Sequence, residues 1–317
     1  MQGYIIRRLL QAIPLLVLVT VLSYSLILLL PGDPVLTGFT GGQQTLDPVA
    51  YQARKHQLGL DKPLPVQYLL WVGHALQGSF GTSALTRLPV SRDLEARLPV
   101  TLQLGAAALA VALLLAIPAG IASAVWRNSL LDRVVTLLAV GGVAIPEFWF
   151  ATLLILLFSV KLHWLPPIGF VSPFTDPVQG LKLIAMPTIV LGWSGTAVLA
   201  RQTRSSMLEV LRQDYIRTAR AKGLRDRTVV LQHALRNAML ATVTVLGLLV
   251  GRVVAGTVIV EQIFSIPGMG RMLVDGVFNR DFPVVQAVVT IVALAVILAN
   301  LLADLAYAWL DPRIQYR

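Results

Sequence analysis

Cysteine is absent from this 317-residue chain, which removes disulfides, thiolate metal sites and cysteine nucleophiles from consideration. Charge is scarce too: 13% of residues are charged, against about 25% in a typical soluble domain. So little polar surface cannot cover a water-facing globule of this length, and a disordered chain would need the opposite composition. No Gly-Lys-Ser/Thr phosphate loop, HExxH or GxSxG occurs, so the sequence offers no ATP site of that kind and no hydrolase centre. The four histidines (His56, His74, His163, His233) are scattered, and no metal site is expected from that spread. The reading from these absences is a chain without catalytic residues, bound metal or cofactor of its own.

What is present is apolar: 56% of residues, with a mean hydropathy of +0.73. A helix needs about 20 mostly apolar residues to cross the hydrocarbon core. Six windows meet that need: Leu9 to Leu30, Pro99 to Trp126, Val134 to Val160, Leu183 to Ala200, Asn237 to Val260 and Phe282 to Ala303. The fourth is short. Backbone groups in lipid must be paired within the segment, so the windows read as helices, and the alternating short segments of a membrane barrel are missing. The predicted class is an all-α integral membrane protein with six transmembrane helices. The first window follows Arg7 and Arg8 and runs into Pro31-Gly32-Asp33-Pro34 without a small-residue cleavage site, which favours a retained anchor over a signal peptide.

Basic residues outnumber acidic ones 26 to 16, a net charge of +10. In a soluble protein that excess would suggest nucleic acid. In an apolar chain it sets orientation instead, so membrane lipid is the expected surface partner and nucleic acid is not. With six spans, one side holds both termini, 127–133 and 201–236, carrying 15 Lys and Arg. The other side carries 4 once the long 31–98 segment, to which the loop rule does not apply, is set aside. The first side is therefore predicted to be cytoplasmic, in a multi-pass protein of the plasma membrane.

Two intervening segments are informative. Residues 31–98 are rich in Gly, Pro and polar residues, with a turn signal at Leu58-Gly59-Leu60-Asp61-Lys62-Pro63 and helical spacing over Val66 to Leu76. A small, partly helical cap outside the membrane is expected, with a loose loop as the alternative. Residues 201–236 hold nine basic residues, interleaved with Met207, Leu208, Leu211, Tyr215, Ile216 and Ala219 at helical intervals. The spacing predicts a short helix from Tyr215 to Lys222, capped by Asp214 and ended by Gly223. A second helical stretch from Asp226 would lead into the fifth span. Such a helix offers a compact knob to a partner; the competing reading is a basic loop that only obeys the orientation rule.

Two charges fall inside the windows. Glu147 lies 13 residues into the third and Arg252 15 residues into the fifth, which places both near mid-membrane at about 1.5 Å per residue. An ionisable group there costs several kcal/mol unless paired or hydrated. Either the two line a translocation path for a charged solute, or they pair with each other or with a partner subunit. Pro118 and Pro146, inside or beside spans, mark possible bends.

The motifs together resemble a known family. Arg7-Arg8-Leu9-Leu10, Leu30-Pro31-Gly32-Asp33-Pro34, Leu58-Gly59-Leu60-Asp61-Lys62-Pro63-Leu64 and Gly78-Ser79-Phe80-Gly81 lead to Asp214-Tyr215-Ile216-Arg217-Thr218-Ala219-Arg220-Ala221-Lys222-Gly223-Leu224 and His233-Ala234-Leu235-Arg236-Asn237-Ala238. Pro267-Gly268-Met269-Gly270, Arg280-Asp281-Phe282-Pro283-Val284-Val285-Gln286 and Leu310-Asp311-Pro312-Arg313 follow. The chain is similar over essentially its whole length to the permeases of binding-protein-dependent ABC importers, in the dipeptide, oligopeptide and nickel branch. The resemblance implies the type I importer permease fold, with 1–98 as a first transmembrane helix plus an external N-terminal insertion and 99–317 as a five-helix core. It implies that Asp214 to Gly223 form the coupling helix, docking on a cytoplasmic ATPase subunit. The wider superfamily's Glu-Ala-Ala, three residues, then Gly is here Arg217, Thr218, Ala219 and Gly223, a departure that suits the peptide branch.

The implied partners are a homologous second permease forming a heterodimer, two ATPase subunits that bind ATP and Mg, and an extracytoplasmic solute-binding protein. The implied cargo is peptides, with glutathione-like molecules and metal chelates as alternatives. Two other classes remain open on the residues alone: an ion-coupled transporter using Glu147 and Arg252, and a receptor or scaffold without solute flux.

Overall fold

A proline or a capping residue marks the start of several helices, and the computed structural model describes residues 2–29, 35, 47–57 and 59–310. In chain order the helices are α1 (Gln2–Leu29), α2 (Pro48–Gln57), α3 (Leu64–Leu76), α4 (Val90–Val125), α5 (Leu130–Ala144) and α6 (Glu147–Leu154). They continue as α7 (Pro177–Val210), α8 (Asp214–Ala221), α9 (Asp226–Thr228), α10 (Leu235–Ile263), α11 (Met269–Phe278) and α12 (Phe282–Leu310). Wider π-helical turns extend α6 over Ile155–Lys161 and join α9 to α10 over Val229–Ala234. Among the described residues the only β feature noted is an isolated bridge, Thr82 to Pro89. The all-α expectation holds.

Four helices are long and apolar enough to cross a membrane unaided: Val90–Val125, Pro177–Val210, Asp226–Gly251 and Phe282–Leu302. The pair Leu130–Ala144 and Glu147–Lys161, bent by 111°, is long and apolar enough for a fifth only if it is taken as one broken span, so the described residues give four or five candidate spans rather than six. The sharp bend has a local cause. Pro146 lacks an amide proton and disfavours helical geometry at the residue before it, and Ile145 and Pro146 are extended, with ψ of 123° and 137°. The first window falls on α1, where the described apolar stretch is Leu10–Ser25. The fourth window proves to be the middle of a longer helix. Asp176 caps α7 by accepting the Gln179 amide at 3.0 Å, and Pro177 follows at the first helical position. The 34 residues of α7 run through Pro187 to Val210, about 50 Å of rise, so one end must project beyond a ~30 Å hydrocarbon core.

The chain divides into two compact units. The first comprises Met1–Arg8, Leu102–Ile266 and Val296–Arg317. Its frame is α7 packed between α5 and α10, with α4 alongside. Small residues let these backbones approach, as is usual where lipid provides no hydrophobic drive between helices. A Cβ built at Gly120 would lie 2.6 Å from Thr203 Cβ, one at Gly142 2.6 Å from Ala197 Cβ, and one at Gly192 2.8 Å from the Ala108 carbonyl oxygen. Ala112, Ala116, Leu199, Ala200 and Leu249 fill the seam between α4, α7 and α10.

The second unit comprises Leu9–Thr101 and Pro267–Ala295. Val90 and Leu94 of α4, Met269 and Met272 of α11, and Val284 and Val288 of α12 form its core. Two polar ties hold its loops. The Ser83 hydroxyl donates to buried Asp281 at 2.5 Å, and the Met269 amide donates to Thr101 Oγ1 at 2.8 Å. The helical content expected in 31–98 is present as α2 and α3, separated by a turn with Gly59 at φ +68°. In that turn His56 Nδ1 lies 2.6 Å from Asp61 and, as its hydrogen-bond partner, holds that carboxyl below its usual range. The α3 side chains Tyr68 and Gln67 bond to Thr20 and Tyr24 of α1 at 2.9 and 3.0 Å, with Trp71 stacked on Tyr68.

The Gly192 contact is against backbone, which cannot swing aside. Gly192→Ala is expected to destabilise the protein by about 1–3 kcal/mol. Gly195→Ala, whose Cβ would make ordinary contacts with Ala112 Cβ at 3.7 Å and Leu249 Cδ1 at 4.0 Å, should be nearly neutral. Thermal unfolding of both variants in detergent checks the contrast.

Candidate functional site

The segment linking α7 to α10 builds a knob. Leu211 ends α7, Gln213 turns extended at ψ 150°, and α8 starts at Asp214. Of the ten residues from Asp214 to Gly223 only Ile216 and Ala219 are buried. They are spaced i, i+3 and so share one face. That face packs into a cluster of Ala124 from α4, Met207 from α7, Val230 from the π-helical turn and Ala238 from α10. Tyr215 adds a tether, its hydroxyl accepting from Asn237 Nδ2 at 3.0 Å. The other face presents Asp214, Arg217, Thr218, Arg220, Ala221 and Lys222 to the outside. The pairs Arg217–Asp214 at 3.4 Å and Arg220–Asp226 at 3.5 Å are surface pairs and add little stability.

The helix starts one residue earlier than the sequence suggests. Asp214 is not its cap but its first residue, and no side chain caps it. Asp214 still places a negative charge at the positive end of the helix dipole. The stop is the expected one. Gly223 takes φ +78°, its amide bonds to Arg220 O and the Leu224 amide to Ala219 O. That is a Schellman ending, in which a left-handed glycine closes the last carbonyls.

Directly beside this knob lies a polar clamp that sequence reading passed over. Asp132, in the first turn of α5, is 4% exposed. Its carboxylate accepts a forked pair from Arg204 of α7: Nε to Oδ1 at 2.7 Å and Nη2 to Oδ2 at 2.9 Å. The hydroxyl of fully buried Ser123 at the end of α4 also donates to Oδ1, and the Asn128 amide donates to Oδ2 at 2.9 Å. Four donors thus occupy the four acceptor positions of one carboxylate. Asn128 aims its amide there by adopting φ +64°, a conformation asparagine tolerates. Ser129 caps α5 by accepting the Asp132 amide at 3.2 Å. The local half of this arrangement was visible as Ser129-Leu130-Leu131-Asp132, a helix-start pattern with an acid three residues after the cap. Arg204, 72 residues away, was visible only as one of nine basic residues.

The two charges that fall inside the apolar windows, Glu147 and Arg252, sit elsewhere in the same unit. Glu147 is the first residue of α6, immediately after the bend, and is half-buried. Its carboxylate lies against Gly256 of α10: a Cβ there would meet Oε2 at 3.4 Å and Oε1 at 3.8 Å. Arg252 is on α10 four residues before Gly256, one helical turn away; its side chain lies outside the described residues. Phe150 of α6 packs on Trp193 of α7 with ring centroids 5.1 Å apart. Among the described residues no group of three or more His, Cys, Asp or Glu could hold a metal ion.

Comparison with known proteins adds an independent line. Residues 116–316 match the family model described as binding-protein-dependent transport system inner membrane component. Residues 1–105 match the N-terminal model of the same kind of membrane component. The chain is 43% identical to the oligopeptide transport system permease protein AppB of Bacillus subtilis (strain 168), over 323 residues covering 100% of both chains. It is 44% identical to the glutathione transport system permease protein GsiC of Salmonella typhi, over 319 residues and 100% of both. It is 43% identical to the di/tripeptide transport system permease protein DppB of Pseudomonas aeruginosa (strain UCBPP-PA14), over 337 residues and again 100% of both.

Truncating the clamp leaves a partly buried guanidinium and a buried hydroxyl without their acceptor. Asp132→Ala is expected to cost about 3 kcal/mol, seen as a lowered unfolding midpoint of the purified chain in detergent. Arg217→Ala, which removes only an exposed pair, should leave that midpoint unchanged.

Proposed function

The chain belongs to the family of binding-protein-dependent transport system inner membrane components, and we propose that it is a permease subunit of an ATP-driven ABC importer for peptides. It works beside a homologous second permease as a heterodimer. Two cytoplasmic ATPase subunits bind ATP and Mg, and an extracytoplasmic solute-binding protein delivers the solute. Both termini lie in the cytoplasm, as does 201–236. Residues 1–98 form an N-terminal addition to a core made by 99–317. The chain itself carries no catalytic residue and no cofactor.

The observation that carries this reading is the knob. Asp214, Tyr215, Ile216, Arg217, Thr218, Ala219, Arg220, Ala221, Lys222 and Gly223 form a short helix with two residues buried in the body and the rest offered outward. A helix that keeps so little of itself for its own fold, yet is tied to α4, α7 and α10, suits a coupling helix seated in a groove of an ATPase subunit. When the ATPases close on ATP, the knob moves and the helices behind it move with it.

The substrate class follows from relatives that are named for oligopeptides, di- and tripeptides and glutathione, which share a free amine and a carboxylate. Glu147 and Arg252 offer the opposite charges: Glu147 of α6 lies against Gly256 of α10, and Arg252 is one helical turn before that glycine. In this reading Glu147 meets the amine and Arg252 the carboxylate in the translocation path, where the bend at Pro146 opens the helix wall.

Reconstitution of the complete complex (both permeases, two ATPase subunits and the solute-binding protein) in proteoliposomes tests both parts. ATP-dependent uptake of a labelled tripeptide is expected, and it should survive collapse of the ion gradient. Gly223→Pro, which clashes with φ +78° and removes a bonded amide, should abolish uptake and solute-stimulated ATP hydrolysis. Unchanged rates would overturn the coupling assignment. Glu147→Gln and Arg252→Gln should raise the uptake KM for zwitterionic peptides. No change in either variant would remove these residues from the path.

A further inference from the structure

The apolar cluster that seats α8 draws on α4, α7, the π-helical turn and α10, but among the described residues it takes nothing from α5. Yet α5 is the helix that runs to the bend at Pro146 and so positions Glu147. Its link to the knob is the clamp. Ser123 immediately precedes Ala124, which packs on the knob, and Arg204 lies one turn before Met207 and Leu208, which do the same. Asp132 therefore joins the start of α5 to the same two helix ends that hold α8. Farther along, Gly142 of α5 meets Ala197 of α7 so closely that a Cβ on the glycine would lie 2.6 Å from that of Ala197.

We infer that Asp132 and Arg204 are positioning residues that carry movement of the α8 knob into α5, and through α5 to the bend at Glu147. The physical reason is directionality. Apolar helix contacts permit small sliding motions, because dispersion has no preferred register. A forked guanidinium–carboxylate pair fixes both distance and orientation, and here the carboxylate is further held by a hydroxyl from α4 and an amide from the connecting turn. A shift of α7 relative to α5 that the apolar seam would tolerate must break two of these bonds. The span from Asp132 to Ala144 is one uninterrupted helix, about 18 Å long, so a displacement imposed at its start reaches the bend undiminished. Gly142 keeps the far end of that lever against α7.

This inference rests on the permease reading above, and the experiment separates the two. The complete complex is reconstituted with the solute-binding protein and a labelled tripeptide, and ATP hydrolysed per peptide imported is measured for wild type, Asp132→Asn, Arg204→Gln and Arg204→Lys. Asparagine would present a donor to a guanidinium that needs an acceptor. Lysine keeps the charge of Arg204 but not the fork. Expected is a rise of about tenfold in ATP consumed per peptide for Asp132→Asn and Arg204→Gln, with partial recovery in Arg204→Lys. If Asp132→Asn does not assemble, the two Arg204 variants carry the comparison, since that side chain is 28% exposed and less of its environment depends on it. A stoichiometry equal to wild type, with uptake and hydrolysis falling together in proportion to assembled complex, shows a purely structural clamp and overturns the inference. Absence of ATP-dependent uptake in the wild-type complex overturns the permease reading, and the inference falls with it.

Discussion

One carboxylate, Asp132, receives four hydrogen bonds from three stretches of chain, and the end of the bundle that carries the knob is organised around it. A carboxylate that is 4% exposed cannot stay ionised without such support. Each donor comes at a geometric condition. Arg204 must reach from α7, α4 must end with Ser123 facing α5, and the turn between α4 and α5 must pass through a left-handed Asn128. Satisfying all of them fixes the spacing of three helix ends. The pocket that accepts Ile216 and Ala219 is lined by neighbours of those same residues. The knob is thus placed by a polar constraint and filled by an apolar one.

The rest of the first unit follows a different logic. Deeper in the bundle, helices are held by proximity rather than by polar bonds, through Gly142 of α5 against α7 and Gly192 of α7 against α4. Close packing of small residues is the ordinary means of joining helices where lipid tails compete equally for apolar side chains. It tolerates small shear. The permease function proposed above needs that tolerance in the spans and rigidity at the proposed coupling helix. The structure distributes the two accordingly, with directional bonds at the knob end and smooth contacts beyond it. Pro146 then supplies a discontinuity, so that Glu147 sits at a fresh helix start beside Gly256 rather than midway along an unbroken rod.

Much of this was legible in the residues. Five of the six apolar windows fall on helices long and apolar enough to cross a membrane or on the bent pair, because long runs with at most one charge have no other stable form in lipid. Gly223 as the end of α8 and Pro146 as the site of a bend were readable because each rests on the chemistry of one residue. The assignment of Asp214 as a cap missed by one position, since a glutamine with no capping bond can occupy that place when the helix is held by tertiary packing. The full length of α7 was hidden by Arg201 and Arg204, polar residues that look like the end of a span but lie within a helix continuing past it.

The sequence by itself determined the class, the apolar spans, the helix stops and the family, because these depend on composition and on local or motif-length patterns. Only the tertiary structure decided which of nine basic residues in 201–236 matters to the fold. Arg204 differs from Arg201, Arg212 or Arg217 in no local respect; it differs because α7 brings it to Asp132, 72 positions earlier in the chain. Glu147 beside Gly256 is a pairing of the same kind, set by how α6 lies on α10. Periodicity says which face of a helix is apolar, but a specific ion pair between helices depends on their axial register, and that is settled only when every contact along both helices is satisfied at once.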